Sequence, residues 1–282
     1  MKHISRSLLR FLSRAARPYL KTYGLLQTAK VFNRSALVWE PGSEKIVVLA
    51  PHMDDEVIGC GGTLARHIER GAEITIIYLS DGRHGGVTPA GLSDVSRTRK
   101  REAALAMEAL GIRKIIFMDA EDGTLDSTPE LAVRLRELLE KIRPELVYLP
   151  FFLEEHPDHR AVSKILTEAI DSGKHLFRCM AYEVWTPLFP NCLVRIDATI
   201  EQKKRALGHY QSQLAETDYL HSALGLNAYR STALLGGTCR YAEAFCSLSL
   251  PEYLGLYQEY MATDATRRPV KPNAQPFDHV HV

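Results

Sequence analysis

The chain is poor in cysteine: five in 282 residues, at Cys60, Cys179, Cys192, Cys239 and Cys246, with no C-x-x-C pair among them. An odd, scattered set argues against a disulfide framework and against a cysteine-built zinc knuckle, and fits a reducing compartment. Long hydrophobic runs are missing too. No stretch reaches the roughly 18 uninterrupted apolar residues of a spanning helix, and the first apolar run, around Leu8–Leu12, is cut by Arg10. That run is also too short for a secretion signal, so a cytoplasmic location is expected. Charge of one sign is not in excess: 35 Lys and Arg face 34 Asp and Glu, a formal charge of +1, so the fold lacks the basic footprint of a nucleic-acid binder. What is present, 45% hydrophobic and 24% charged residues, suits a globular protein that buries a core.

The balanced charge hides a local asymmetry. Residues 1–34 hold eight Lys or Arg and no acid. Between Ser5 and Leu20, Leu8, Leu9, Phe11, Leu12 and Ala16 mix with Arg6, Arg10, Arg14 and Arg17, a pattern that a helix sorts into apolar and basic faces before Pro18 ends it. Two readings stay open for residues 1–34: peripheral docking on anionic lipid at the inner face of a membrane, and packing on the domain or on an oligomer partner. A transit peptide shares this composition. The tail carries Pro269, Pro272 and Pro276 among polar residues. The expected organisation is a basic amphipathic segment over 1–40, one domain over 41–262 and a flexible tail over 263–282. Oligomeric state is left open.

From residue 46 short β-branched runs alternate with segments of helical period. Runs 46–50, 74–79, 114–118 and 146–150 read as buried strands. Helices are expected near 62–70, 96–110, 128–142 and 157–172, with Gly71, Gly111 and Gly173 as stops. Four β-then-α units imply parallel strands and right-handed crossovers. The fold class is α/β, a Rossmann-like, mostly parallel sheet with helices on both faces, and ligands belong at the strand carboxyl ends. Weaker strands follow near 180–184 and 192–196, then a helix over 200–214 and a helix-like stretch from 240 to 260.

Two of those strand ends carry histidines and acids. The first ends in Pro51-His52-Met53-Asp54-Asp55-Glu56 and the fourth runs into Glu154-Glu155-His156-Pro157-Asp158-His159. A His and an adjacent acid on a tight turn supply nitrogen and oxygen ligands to a divalent metal and leave a carboxylate over as a base. Two His and one carboxylate with an open fourth position suit a catalytic zinc. The plainer reading is a pair of capped helix N-termini with surface histidines. Gly59-Cys60-Gly61-Gly62 invites a dinucleotide reading but lacks the G-x-G-x-x-G spacing directly after the strand, so these glycines are read as close helix-on-strand packing.

The two motifs resemble the H-x-D-D-E and H-P-D-H signatures of the PIG-L/LmbE-like zinc-dependent N-deacetylases. That family includes N-acetylglucosaminyl-phosphatidylinositol deacetylases and enzymes of mycothiol and bacillithiol synthesis. The likeness continues in order through Arg99 and Glu102, Leu110-Gly111, Asp122-Gly123, Lys203, Ala206, His209, Ser212-Gln213 and Tyr241–Phe245, over roughly residues 45 to 250. It implies Zn2+ held by His52, Asp55 and His159, with Asp54 as the general base toward metal-bound water. His156, held by Asp158, would stabilise the oxyanion or protonate the leaving amine. Asp122 would contact sugar hydroxyls, and Arg99 a phosphate or inositol phosphate; the plainer reading of Arg99 is a surface charge paired with Glu102. The implied reaction removes the N-acetyl group of an N-acetylated amino sugar and releases acetate. Alternatives are a metal-dependent amidase or esterase on another acyl group, and a non-catalytic sugar-binding protein. Met53 stands where many members have proline, a place that offers no donor atom.

Overall fold

The computed structural model describes residues 36–85, 92–170 and 176–265. Alternation along single strands sets the layers. In Lys45–Ala50 (β2), Ile46, Val48 and Ala50 face one hydrophobic cluster while Val47 and Leu49 face a second, so the strand is buried on both sides. Glu73–Ser80 (β3), Leu146–Pro150 (β5) and Arg178–Tyr182 (β6) behave similarly, the edge strand Lys114–Ala120 (β4) is only partly buried, and all four run parallel to β2, in the spatial order β6-β5-β2-β3-β4. The sheet has eight strands: Leu37–Val38 (β1) pairs parallel with Cys192–Arg195 (β7), and Ala242–Ser249 (β8) lies between β7 and β6, antiparallel to both.

Helices cover both faces, as expected. Asp55–Glu69 (α1), Leu92–Leu110 (α2), Ile200–Leu207 (α5) and Tyr219–Leu235 (α7) contribute to the first cluster. Pro129–Ile142 (α3), Pro157–Ala169 (α4) and Leu250–Ala265 (α8) pack on the second, and the short helix Gln211–Leu214 (α6) follows α5. The glycines of α1 bring it down onto the sheet. A Cβ on Gly59 would sit 2.3 Å from Cδ2 of Tyr182, and one on Gly62 would sit 2.9 Å from Ile196 side-chain carbons. Chain order reverses beside β2: β3 and β4 lie to one side and β5 to the other, so a crevice opens at the carboxyl ends of β2 and β5. The two histidine motifs follow these two strands.

Several expectations change. Helix α1 begins at Asp55, far earlier than 62, so the acids of the first motif form its first turn. The stretch expected to be helical over 240–260 is β8 followed by α8. The helix expected over 200–214 is interrupted at Gly208–Tyr210, between α5 and α6. Helix α7 was not expected. Strand β1 falls inside the stretch assigned to the N-terminal segment, and α8 runs to Ala265, past the boundary at 262. Residues 1–34, with the proposed lipid-docking helix, and most of the tail lie outside the described residues. No helix among the described residues is long and apolar enough to cross a membrane.

Candidate active site

The turn between β2 and α1 places the first motif. Asp54 precedes α1 with φ at 140°, a left-handed conformation that side chains other than glycine rarely adopt and that clusters at functional sites. Val57 and Ile58 N–H groups donate to its carbonyl oxygen. Its own N–H donates to Glu56 Oε2 at 3.2 Å, while Glu56 Oε1 accepts from the Tyr210 hydroxyl. Burial, reinforced by the charge of Asp54, pushes the Glu56 carboxyl up to about 8. On α4, His156 is the N-cap: its Nδ1 accepts from the Asp158 N–H at 3.2 Å, and Pro157 starts the helix.

The two turns bring His52, Asp55 and His159 together. Asp55 Oδ2 lies 3.3 Å from His52 Nδ1 and 3.3 Å from His159 Nε2. Two ligands of one tetrahedral zinc, each at about 2.0–2.1 Å, are roughly 3.3 Å apart, so these separations suit a shared ion. His159 is fully buried, yet among the described residues neither ring nitrogen has a hydrogen-bond partner, an arrangement that costs free energy unless something binds there. His52, His156 and His159 also have ring nitrogens within 4.8 Å of one another, and His52 forms a second such group with Asp122 and Asp158. A donor set of imidazole nitrogens and a carboxylate oxygen around an unsatisfied histidine fits a divalent zinc-like ion.

Around these groups lies a shell of carboxylates. His52 Nε2 is 3.0 Å from Asp122 Oδ1 and 3.2 Å from Asp158 Oδ2, an arrangement in which Nε2–H donates to the carboxylates and Nδ1 keeps its lone pair for a ligand. Burial works against a charged imidazole at His52, but Asp122, Asp158 and Asp55 together hold its pKa well above 6.5. The pocket thus favours a cation. Glu154, which the sequence reading gave no role, lies with Oε2 3.6 Å from His159 Nδ1 and also accepts from the N–H groups of Val184, Trp185 and Thr186.

Asp54 and Asp55 are adjacent carboxylates driven apart. Burial raises Asp54 to about 7, with the Arg99 guanidinium opposing and the Asp55 charge reinforcing. At Asp55 burial is outweighed by His159 and His52, which hold it at about 2. Pairs of titratable groups separated in this way are what acid–base chemistry needs near neutral pH. His156 is held low by burial and by its His52 and His159 neighbours.

Three of the expected site residues have partners inside the protein. Arg99 does not face outward: it is 3% exposed, its Nη2 donates to the Met53 carbonyl at 3.0 Å and lies 3.6 Å from Asp54 Oδ1, and its Nη1 donates to the Gly82 carbonyl. Nor does it pair with Glu102, whose carboxylate accepts from Ser212 N and Oγ. Asp122 has both oxygens occupied inside the protein, Oδ1 by His52 and Oδ2 by the His84 N–H. Asp158 holds His156 through its backbone, because its carboxylate is turned to His52 and to the Gly123 and Leu125 N–H groups.

The family model described as PIG-L: GlcNAc-PI de-N-acetylase matches residues 47–170, a span that runs from β2 to the end of α4 and includes both motifs. Diacetylchitobiose deacetylase of Thermococcus kodakarensis is 29% identical over 191 residues, 61% of this chain and 71% of that one. Among solved structures, the conserved protein TT1542 from Thermus thermophilus is 30% identical with a TM-score of 0.63, and the match covers 72% of this chain and 93% of that one. The N,N'-diacetylchitobiose deacetylase from Pyrococcus horikoshii shares the fold at a TM-score of 0.64 and 22% identity, over 83% of this chain and 93% of that one. With both histidine motifs inside the matched span and 93% of a 30% identical structure covered by the match, the chain belongs to the PIG-L family of de-N-acetylases.

Proposed function

We propose that this protein is a zinc-dependent hydrolase that removes the N-acetyl group from an N-acetylated amino sugar of the N-acetylglucosamine type, releasing acetate and leaving a free amine. The observation that carries the reading is Asp55 Oδ2 set 3.3 Å from both His52 Nδ1 and His159 Nε2, with the Asp54 carboxylate next along the chain. Named deacetylases among the similar proteins support the N-acetyl sugar as substrate class.

His52, Asp55 and His159 would hold the ion. When bound, zinc supplies Lewis acidity to an acyl carbonyl and makes water a better nucleophile near neutral pH. Hydrolysis adds a water oxygen to the acyl carbon, breaks the C–N bond and needs one proton moved from that water to the departing nitrogen. The Asp54 carboxylate, poised near neutrality and held by Arg99, accepts the proton. His156 accepts at Nδ1 from the Asp158 N–H, which places its neutral-form proton on Nε2 and makes that atom the donor to the carbonyl oxygen or the amine. Arg99, Asp122 and Asp158 act as positioning residues: the first on Asp54, the others on His52. The test is acetate release from N-acetylglucosamine and its glycosides with zinc supplied and with chelator added. Zinc-dependent release supports the reading, and no release from any N-acetylated amino sugar overturns it.

A further inference from the structure

Two fully buried groups beside the centre take no part in the chemistry above: Glu56, the last acid of the first motif, and Tyr210. Tyr210 sits where the helix expected over 200–214 breaks, as the N-cap residue of α6. The break is fastened to α2, because the Glu102 carboxylate accepts from Ser212 N and Oγ. The Tyr210 ring lies in the core, where its hydroxyl donates to Glu56 Oε1 and is 3.2 Å from the Tyr78 hydroxyl of β3. Glu56 Oε2 in turn accepts from the Asp54 N–H at 3.2 Å. The carbonyl of the same peptide unit, that of Met53, accepts from Arg99 Nη2 at 3.0 Å. Arg99 and Glu102 are three apart on α2, so one helix face supports both ends of this unit. Arg99 does so directly, and Glu102 does so through Ser212, Tyr210 and Glu56.

The orientation of this peptide relative to the Asp54 Cα is what φ of Asp54 measures. A non-glycine residue at φ 140° persists only where its surroundings over-determine it. On the other side of the residue, the Val57 and Ile58 N–H groups hold the Asp54 carbonyl. Released from Glu56, the peptide can rotate toward ordinary backbone, and the Asp54 carboxylate then leaves its place beside Arg99. We propose that Tyr210 is a positioning residue for the base: acting through Glu56, its hydroxyl locks the Met53–Asp54 peptide and thereby the aim of the Asp54 carboxylate. This rests on the deacetylase reading above and deepens it. Tyr210 acts on the base and not on substrate, so its effect belongs to kcat rather than KM.

Tyr210→Phe removes the hydroxyl and keeps the ring. In the full chain loaded with zinc, it should lower kcat roughly tenfold while KM and zinc content stay within about twofold. Tyr253→Phe is the control: that hydroxyl, bonded to Ser163 on the opposite face of the sheet, is as deeply buried, and its loss should leave kcat unchanged. With Asp54→Ala already present, Tyr210→Phe should cost nothing more, because the group it positions is gone. Amide hydrogen exchange gives a readout without turnover. The Asp54 N–H should exchange roughly tenfold faster in Tyr210→Phe than in the native chain, and at the native rate in Tyr253→Phe. Unchanged kcat or unchanged exchange in Tyr210→Phe, an equal loss of kcat in Tyr253→Phe, or a full further loss in the Asp54→Ala background overturns the proposal. If zinc-loaded native protein releases acetate from no N-acetylated amino sugar, the deacetylase reading fails on its own. Faster exchange at Asp54 would then leave the lock standing, and unchanged exchange would remove both.

Discussion

At the scale of single residues, Asp54 is where backbone strain and chemistry coincide: a non-glycine residue at φ 140° whose carboxylate is buried beside Arg99. The proposed base, which is not itself a proposed ligand, should be separable from metal binding. Asp54→Ala is expected to retain zinc while losing roughly 10²- to 10⁴-fold in kcat, checked by metal analysis and steady-state assay of the same preparation. Full turnover in the variant would remove the assigned role. His67 on α1 makes a prediction away from the site. It is fully buried, with ring nitrogens on the Gly42 carbonyl and the Tyr148 hydroxyl, and burial lowers its pKa below 6.5. The unfolded chain therefore takes up this proton first as pH falls. The His67 contribution is fully present above about 6.5 and declines on acidification through that value, by at most about 1.4 kcal/mol per pH unit until the folded pKa is passed. Urea unfolding at several pH values should show a shallower acid decline for His67→Gln than for the native chain; identical slopes would contradict this. Some of this was legible in the sequence and some was not. Adjacent acids beside a histidine at a strand end mark a site by residue type alone, whereas the inward turn of Arg99 and Asp122 depends on what three separate loops place around them.

At the scale of elements, what could be read was governed by burial. Strands β2, β3 and β5 are covered on both faces, so they appear as apolar runs, and the helices between them carry apolar stripes. Helix α7 shows no such stripe because much of its buried side is polar: Asn227 binds Lys203, Arg230 binds Glu183 and Ser231 binds the Cys239 carbonyl. Strand β8, Ala-Glu-Ala-Phe-Cys-Ser-Leu-Ser, has no β-branched residue and merges into the apolar period of α8, which is why the two read as one helix. Its Glu243 is the hinge of a buried cluster. Lys203 on α5 donates to Glu243 on β8, to Asn227 on α7 and to the Ile58 carbonyl on α1, while Glu243 also accepts from the Gly62 and Thr63 N–H groups. Removing one partner leaves a buried charge uncompensated. Lys203→Met should cost about 3–5 kcal/mol in urea unfolding, whereas a loss below about 1 kcal/mol would mean that the elements hold together without this pair.

At the scale of the whole molecule, the order of the strands explains why two motifs about a hundred residues apart in sequence form one site. The chain leaves β2 toward β3 and β4, then returns to the other flank of β2 with β5, and both motifs emerge into the crevice this reversal creates. Alternating strands and helices implied such a crevice from the sequence, but which strands flank it required the sheet order. Convergence of His52, Asp55 and His159 on one ion is the central claim, and metal content tests it most directly. Protein purified without chelator and supplied with zinc should hold about one zinc per chain, and His159→Ala, which removes a proposed ligand, should hold none at equal purity. Absence of metal from the native chain after zinc is supplied, or equal zinc in the variant, would contradict the account.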